Sequence, residues 1–256
     1  MVKRLKVIMI IADGVADRAV PELGWKTPLE VASKDNIDWI ASKGVTGLWY
    51  PIAPGVRPGS DTAHLALFGI DPLKKYPGRG PFEAIGAGAD LRPGDIAFRG
   101  NFATVSNDLV VIDRRAGRYL PENKELTEFL NQNLSRIDDV EVRFYPATEH
   151  RLAIVLRGKG LSPNVSDTDP HRTGVKVLES RPLDDTLEAR RTAEIVNKLT
   201  KMIYELLKDH DINKKRIEKG LPPANMVLLR GAGRMVNYPK FNERPLIHIE
   251  SSVAIS

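Results

Sequence analysis

Ser60 stands in the stretch RPGSDTAH, Arg57 to His64, just ahead of an apolar run that ends at Gly69. A serine at the start of a helix can do two things. Its oxygen can accept an N–H of the first turn and cap the helix, a contribution of about 1 kcal/mol. Alternatively its hydroxyl can attack. The positive partial charge at a helix N-terminus favours an alkoxide and an arriving phosphate, and a bound cation lowers the hydroxyl pKa further. The spacing leaves both uses open. His64, four residues on, falls on the same helical face, either packed there or donating a hydrogen bond behind the serine. Asp13 follows an apolar stretch and precedes Gly14. A carboxylate at the carboxyl end of a strand, where open α/β sheets gather ligands, can hold a cation, but Asp-Gly is also an ordinary turn.

Arginines cluster at the ends of expected strands. Arg99 sits inside IAFRGNFATV; Asp113, Arg114, Arg115 and Arg118 follow VVI; His150 and Arg151 open HRLAIVLRG; Arg230 and Arg234 lie in LLRGAGR. Guanidinium groups at four strand ends, if they converge, make a clamp for phosphate or carboxylate. Some of them are expected to pair with Asp113, Asp167 or Asp169. Asp167, Asp169 and His171 in SDTDPHRTG are metal-ligating types, but their spacing matches no firm ligand pattern, so they read as a turn or a substrate contact.

The elements that must position these groups form an α/β chain. RLKVIMIIADG reads as a strand buried on both faces. Thr27 to Gly44 has helical spacing, and Val45 onward reads as a strand entering a Gly/Pro-rich loop before Ser60. This order suggests a parallel sheet. From Tyr76 to Asp95 the chain turns rich in glycine and proline, as at a crossing between domains. Closely spaced strand candidates follow at 96–105, 109–113, 140–147 and 150–158, which favours antiparallel pairing. Asp184 to His210 is the clearest amphipathic helix, with Leu187, Ile195, Leu199, Ile203 and Leu206 on or near one face. KKRIEKG at 214–220 reads as the solvated end of a helix, NMVLLRGAG as a buried strand, and PLIHIESS as the start of another.

The chain has 256 residues, 42% of them hydrophobic, with a net charge of +5, room for one or two domains with a substantial core. No dense basic block with interleaved aromatics stands out, so nucleic acid is excluded as a partner and a small anionic ligand is favoured. VIMIIA is far too short to span a bilayer, which argues against a membrane partner. The absence of cysteine rules out disulfides and thiolate metal sites and fits a cytoplasmic protein.

Together, IMIIADGVADR, RPGSDTAHLALFGIDP, GRGPFEAIGAG, GDIAFRGNFATV, DRRAGR and EHRLAIVLRG resemble the archaeal-type cofactor-independent phosphoglycerate mutases. The resemblance covers nearly the whole chain and is specific in combination. It implies an alkaline phosphatase-like α/β fold: a parallel sheet core, incomplete here, interrupted by a smaller inserted α+β substrate domain. The expected division is 1–85 for the metal-binding core, 86–240 for the insertion and 241–256 for the return strand. The implied activity is that of an isomerase of glycolysis and gluconeogenesis, interconverting 3-phosphoglycerate and 2-phosphoglycerate without 2,3-bisphosphoglycerate. Ser60 would carry the phosphoryl group. Asp13 and Ser60 would ligate one of two divalent ions (Mn2+, Mg2+ or Zn2+). Arg99, Asp113, Arg114, Arg118, His150, Arg151, Arg230 and Arg234 would hold the substrate.

The sequence departs from the family in one respect. The remaining metal ligands of the family come in an Asp…His pair and an Asp-His followed by another His, whereas after Asp184 this chain offers only His210 and His248. The chain is therefore expected to be the N-terminal part of such a mutase, and inactive alone. Two other readings are a different metal-dependent phosphatase or phosphomutase of the superfamily, and a non-catalytic anion-binding fragment. The oligomeric state is left open, a homo-oligomer included.

Overall fold

The structure is a computed structural model that describes residues 8–12 and 14–236. The chain divides into two compact units, Met1–Pro54 and Gly55–Ser256.

In the first unit, Thr27 starts a short helix, α1 (Pro28–Val31). Its hydroxyl accepts the Glu30 N–H at 3.2 Å and the Glu30 carboxylate accepts the Thr27 N–H at 2.7 Å, a reciprocal cap. The helix expected over Thr27 to Gly44 is broken. Ala32 is extended, Lys34 caps a new start, and α2 runs Asp35–Lys43 with Asp35 and Asp38 in its first turn. The parallel strands expected before Asp13 and after Gly44 do not form among the described residues. Ile8 and Ile10 are both 83% exposed, and residues 45–50 are exposed and unpaired. An apolar strand needs neighbours to take its N–H and C=O groups and to cover both faces, and no described strand lies beside these segments. The expected return strand at 241–256, together with Asp13, lies outside the described residues.

The second unit contains α3 (Ser60–Leu67), α4 (Pro72–Lys75), α5 (Arg79–Gly86), β1 (Ile96–Val105), β2 (Val111–Asp113), α6 (Asn123–Asn133), β3 (Arg136–Ile137), β4 (Val140–Pro146), β5 (Arg151–Arg157), α7 (Leu187–Leu207), α8 (Asp211–Glu218) and β6 (Met226–Gly233). The short strands pair antiparallel, as their spacing predicts. β1 is central, with β6 on one side and β5 on the other; β4 and β3 continue beyond β5, and β2 joins the last residues of β1.

Every residue of β1 is buried, so both faces of the sheet are covered. Side chains alternate between the faces. Ile96, Phe98, Phe102, Leu152, Ile154, Leu156 and Leu229 face the main core against α6 and α7. The long helix behaves as its pattern requires: Ile195, Leu199 and Ile203 are buried, whereas Leu187 at its first position is 78% exposed. On the opposite face Ala97, Ala153 and Val155 meet Ala84 of α5.

The Gly/Pro-rich texture of residues 76–95 hides α5, and it also explains how α5 is seated. A Cβ at Gly80 would collide with the Ala97 carbonyl, and one at Gly233 with the Pro77 carbonyl. Glycine at these positions lets the helix lie directly on the backbone of β1 and β6. Its Arg79 and Glu83 are thereby carried onto the sheet face that holds the odd-numbered residues of β1.

Candidate functional site

Ser60 is the first residue of α3 and not its cap. The N-cap is Gly59, in an extended conformation. Its N–H reaches the Thr62 hydroxyl at 2.9 Å, and that hydroxyl donates back to the Gly59 carbonyl at 3.0 Å. The capping role weighed for Ser60 is therefore taken by its neighbours. His64 donates through Nδ1 to the Ser60 carbonyl at 2.5 Å, so it ties down the serine backbone. Asp61 is buried, accepting the Thr62 N–H at 3.0 Å and the Tyr76 hydroxyl.

The sheet face under α5 carries a floor of arginines. Arg99 of β1 stands opposite Arg230 of β6, and Asn101 opposite Arg151 of β5. Cross-strand partners point to the same face, so all four project towards α5, which adds Arg79 and Glu83. Glu83 lies between two of the arginines: one carboxylate oxygen is 3.6 Å from Arg99 Nε and the other 3.9 Å from Arg151 Nε. Arg99 is 5% exposed and Arg151 4%. Burial, then the charge of Arg230, pulls the Arg99 guanidinium down to about 9, and Arg230 is lowered by burial and by Arg79. Among the described residues, Arg79 Nε, Arg99 Nε, Arg99 Nη1 and Arg230 Nε are buried without a hydrogen-bond partner, as is Asn101 Oδ1. Buried cationic N–H groups without partners are costly. A floor built this way suits an anion supplied from outside the protein.

Other predicted residues surround this floor in distinct ways. Arg114 forks onto Asp169, Nε to Oδ1 at 2.9 Å and Nη2 to Oδ2 at 2.6 Å, and its Nη2 lies 3.3 Å from His171 Nδ1. Burial pushes the Asp169 carboxyl up, but the hydrogen bonds from Arg114 and the His171 N–H outweigh it and the net shift is downward. Asp167 accepts the Gly231 N–H at 2.8 Å and lies 3.2 Å from His171 Nε2. These three residues stitch a turn to β6. The Asp113 carboxylate accepts the Arg115 and Gly117 N–H groups, both at 2.8 Å, and shapes the loop after β2. Arg118 is exposed and pairs with Glu149 at 3.2 Å. Arg234 donates to the Leu161 carbonyl. His150 is 7% exposed, and its Nδ1 donates to the Arg118 carbonyl at 3.3 Å. Burial is the main force that lowers it to about 4, so it is neutral at pH 7 and Nε2 keeps its lone pair.

Thus Arg99, Arg151 and Arg230 come together, Arg114 and His150 flank them through other partners, and Asp113 and Arg234 are engaged with backbone. Sequence reasoning missed three residues. Arg79 and Glu83 are four apart in GRGPFEAIG, the spacing of one helical face, but the glycines masked the helix. Asn123 opens α6, and its amide donates to the carbonyls of Ala147, Glu149 and Arg151 at 3.2, 2.6 and 2.7 Å. It anchors the turn that presents His150 and Arg151. Among the described residues no group of three or more His, Cys, Asp or Glu side chains is placed to hold a metal ion, and no helix is long and apolar enough to cross a membrane.

Comparison with known proteins adds an independent observation. A family profile described as 2,3-bisphosphoglycerate-independent phosphoglycerate mutase matches residues 41–213. A curated protein of that description from Ignicoccus hospitalis is 61% identical over 94% of this chain, and one from Sulfolobus acidocaldarius is 59% identical over 93%. The chain spans 59% and 58% of the lengths of these two relatives. Among solved structures, a cofactor-independent phosphoglycerate mutase from Thermoplasma acidophilum superposes with a TM-score of 0.61 at 42% identity. It covers 90% of this chain and 59% of its own. A protein from Pyrococcus horikoshii superposes with a TM-score of 0.66 at 34% identity, covering 90% of this chain and 52% of its own.

Proposed function

The chain belongs to the 2,3-bisphosphoglycerate-independent phosphoglycerate mutase family, and on that footing we propose that it supplies the nucleophile and the substrate floor for interconverting 3-phosphoglycerate and 2-phosphoglycerate. One observation carries the reading. The partnerless buried guanidinium nitrogens of Arg79, Arg99 and Arg230 share one sheet face with Arg151. Phosphate and carboxylate are the groups that satisfy such donors, in pairs and with charge.

In this reading the floor binds the glycerate carboxylate and neutralises the phosphate. Arg114 and His150 act on the floor arginines, Arg118 and Arg234 are proposed to join them when substrate binds, and Asp113 holds the loop that carries Arg114 and Arg118. The Ser60 oxygen attacks phosphorus as the bond from phosphorus to the substrate oxygen at carbon 3 breaks, and the serine proton ends on that oxygen. The glycerate turns over. Its oxygen at carbon 2 then attacks the phosphoserine, and the proton from that hydroxyl returns to Ser60. Splitting the transfer this way makes two in-line displacements out of one awkward internal migration, and an enclosed floor keeps the glycerate from leaving between them.

The family fold we propose is the alkaline phosphatase-like core at 1–85, with an inserted domain at 86–240 and a return strand at 241–256. Among the described residues no donor set fits the two divalent ions that the family resemblance implies, and Asp13 lies outside those residues. Asp13 and Ser60, the two ligands that the resemblance implies, would hold one ion between them, and no step is routed through a metal.

Calorimetry with 3-phosphoglycerate on the 256-residue chain tests the substrate assignment. Binding is expected, weakened at least about tenfold in Arg99→Ala and in Arg230→Ala, which is about 1.4 kcal/mol or more. Absence of binding removes the assignment. The same samples with Mn2+, followed by phosphorus NMR, separate the remaining readings. Release of inorganic phosphate would point to a phosphatase of the superfamily, and binding without conversion, the outcome expected of this donor set, leaves the chain with the binding part of the reaction.

A further inference from the structure

Each arginine of the floor repels the others; Glu83 is the carboxylate set between Arg99 and Arg151, while Asp169 and Asp167 act as opposite charges on Arg230. Glu83 has a side chain only 9% exposed, with its two oxygens divided between Arg99 Nε and Arg151 Nε. Both distances, 3.6 and 3.9 Å, are longer than a hydrogen bond. Glu83 therefore acts on the Nε edges by charge and leaves the outer guanidinium nitrogens for another partner; Arg99 Nη1 is one of the buried atoms that has none. Arg99 also feels Arg230, Arg79 and Arg151 as like charges and Glu83 as an opposite one. The helix carrying Glu83 is seated by backbone contact at Gly80 and cannot drift from the sheet.

We infer that Glu83 is the positioning residue of the arginine floor: it holds Arg99 and Arg151 side by side with their outer nitrogens parallel, and it sets the charge that the floor presents. This rests on the substrate reading proposed above. Arg79, Arg99, Arg151 and Arg230 with Glu83 sum to three positive charges, and Asp167, acting on Arg230, lowers that sum. Fully ionised 3-phosphoglycerate carries three negative ones, two on the phosphate and one on the carboxylate. A ligand bearing two anionic groups needs guanidiniums aligned in two places. Inorganic phosphate, a single compact anion, does not. The carboxylate thus confers selectivity for a two-ended anion, beyond helping the floor to fold.

The test compares the wild-type 256-residue chain with Glu83→Gln and Glu83→Asp, using 3-phosphoglycerate and inorganic phosphate as probes in calorimetry. In Glu83→Gln the affinity for 3-phosphoglycerate is expected to fall about tenfold, while that for inorganic phosphate is unchanged or rises with the added net charge. Glu83→Asp, which keeps the charge and shortens the reach, should give an intermediate ratio. Parallel loss of both affinities, or no change in either, would overturn the inference, because a merely structural carboxylate moves the two probes together. A second arm needs no ligand: the side-chain Nε–H NMR signals of Arg99 and Arg151 should shift and exchange faster with solvent in both variants, while that of Arg114, held by Asp169, stays in place. If the wild type binds neither probe but those signals move, the substrate reading fails and the positioning role stands. If the signals do not move, the positioning role fails whatever binds. Should Glu83→Gln not fold, Glu83→Asp alone decides by the same two readouts.

Discussion

Arg99 and Arg230 face each other across the β1–β6 ladder, in register, each with a buried Nε that no group among the described residues satisfies. Like charges directly opposite destabilise a sheet, and the pair persists in the interior of the second unit. Replacing one member by an apolar side chain of similar length should relieve the repulsion. Arg230→Met is expected to raise the unfolding free energy by about 1 kcal/mol in urea titrations, while weakening 3-phosphoglycerate binding. Loss of stability in that variant would mean that the opposed pair is a supported structural feature and not a binding device.

The same repulsion predicts that a bound anion stabilises the protein. Burial and Arg230 lower Arg99 to about 9, so keeping it charged costs the empty fold, and a bound anion offsets that cost. Inorganic phosphate at 100 times its Kd should stabilise by about 2.7 kcal/mol. A thermal-shift series against phosphate concentration checks this, with Arg99→Ala expected to flatten the response.

His150 sets an acid limit. Its folded pKa of about 4 lies below the ordinary histidine value of 6.5, chiefly because it is buried. A histidine depressed in this way contributes fully above its unfolded pKa, and its contribution is lost as pH falls from 6.5 towards 4, since the unfolded chain takes up the proton first. Between pH 7 and pH 4.5 the wild type should lose about 2 kcal/mol that His150→Gln does not lose. The Asp169 carboxyl, held against the effect of burial below the ordinary carboxylate range, chiefly by Arg114, gives up its own contribution only at still lower pH, so the two windows are separable by urea titration at stepped pH.

Asn123→Ala removes a donor from three carbonyls of the turn that precedes β5. Buried acceptors left unsatisfied cost about 1–3 kcal/mol, so stability should fall by that amount, and 3-phosphoglycerate affinity should fall as Arg151 loses its anchor. Calorimetry and denaturant unfolding on the same variant report the two effects. Unchanged affinity would detach the turn from the floor.

Two glycines of α5 give a paired control. Gly80→Ala places a methyl against the Ala97 carbonyl, whereas Gly86→Ala meets nothing within 4 Å. The first should destabilise by about 3 kcal/mol or more, and the second should be neutral or stabilise by about 0.5 kcal/mol. Circular dichroism melts of the two variants compare them directly. If both behaved alike, the seat of α5 on β1 would be wrong.

Local chemistry in the sequence pointed to much of this protein. The hydroxyl of Ser60 at a helix start, the arginines of β1, β5 and β6, the antiparallel run of short strands and the stripe of α7 all follow from residue type and spacing over a few turns, because side-chain period and backbone propensity are short-range. Tertiary contact alone decided which arginines share a floor. Arg99 meets Arg230 through a strand register set far along the chain, whereas Arg234 turns to a carbonyl. Contact also made a helix of the glycine-rich stretch and delivered Glu83 to the arginines, since those glycines are needed for close approach and carry no helical signal of their own. The apolar segment at 8–12 marks the limit in the other direction: its residues spell a strand, but a strand exists only where neighbouring backbone takes its hydrogen bonds.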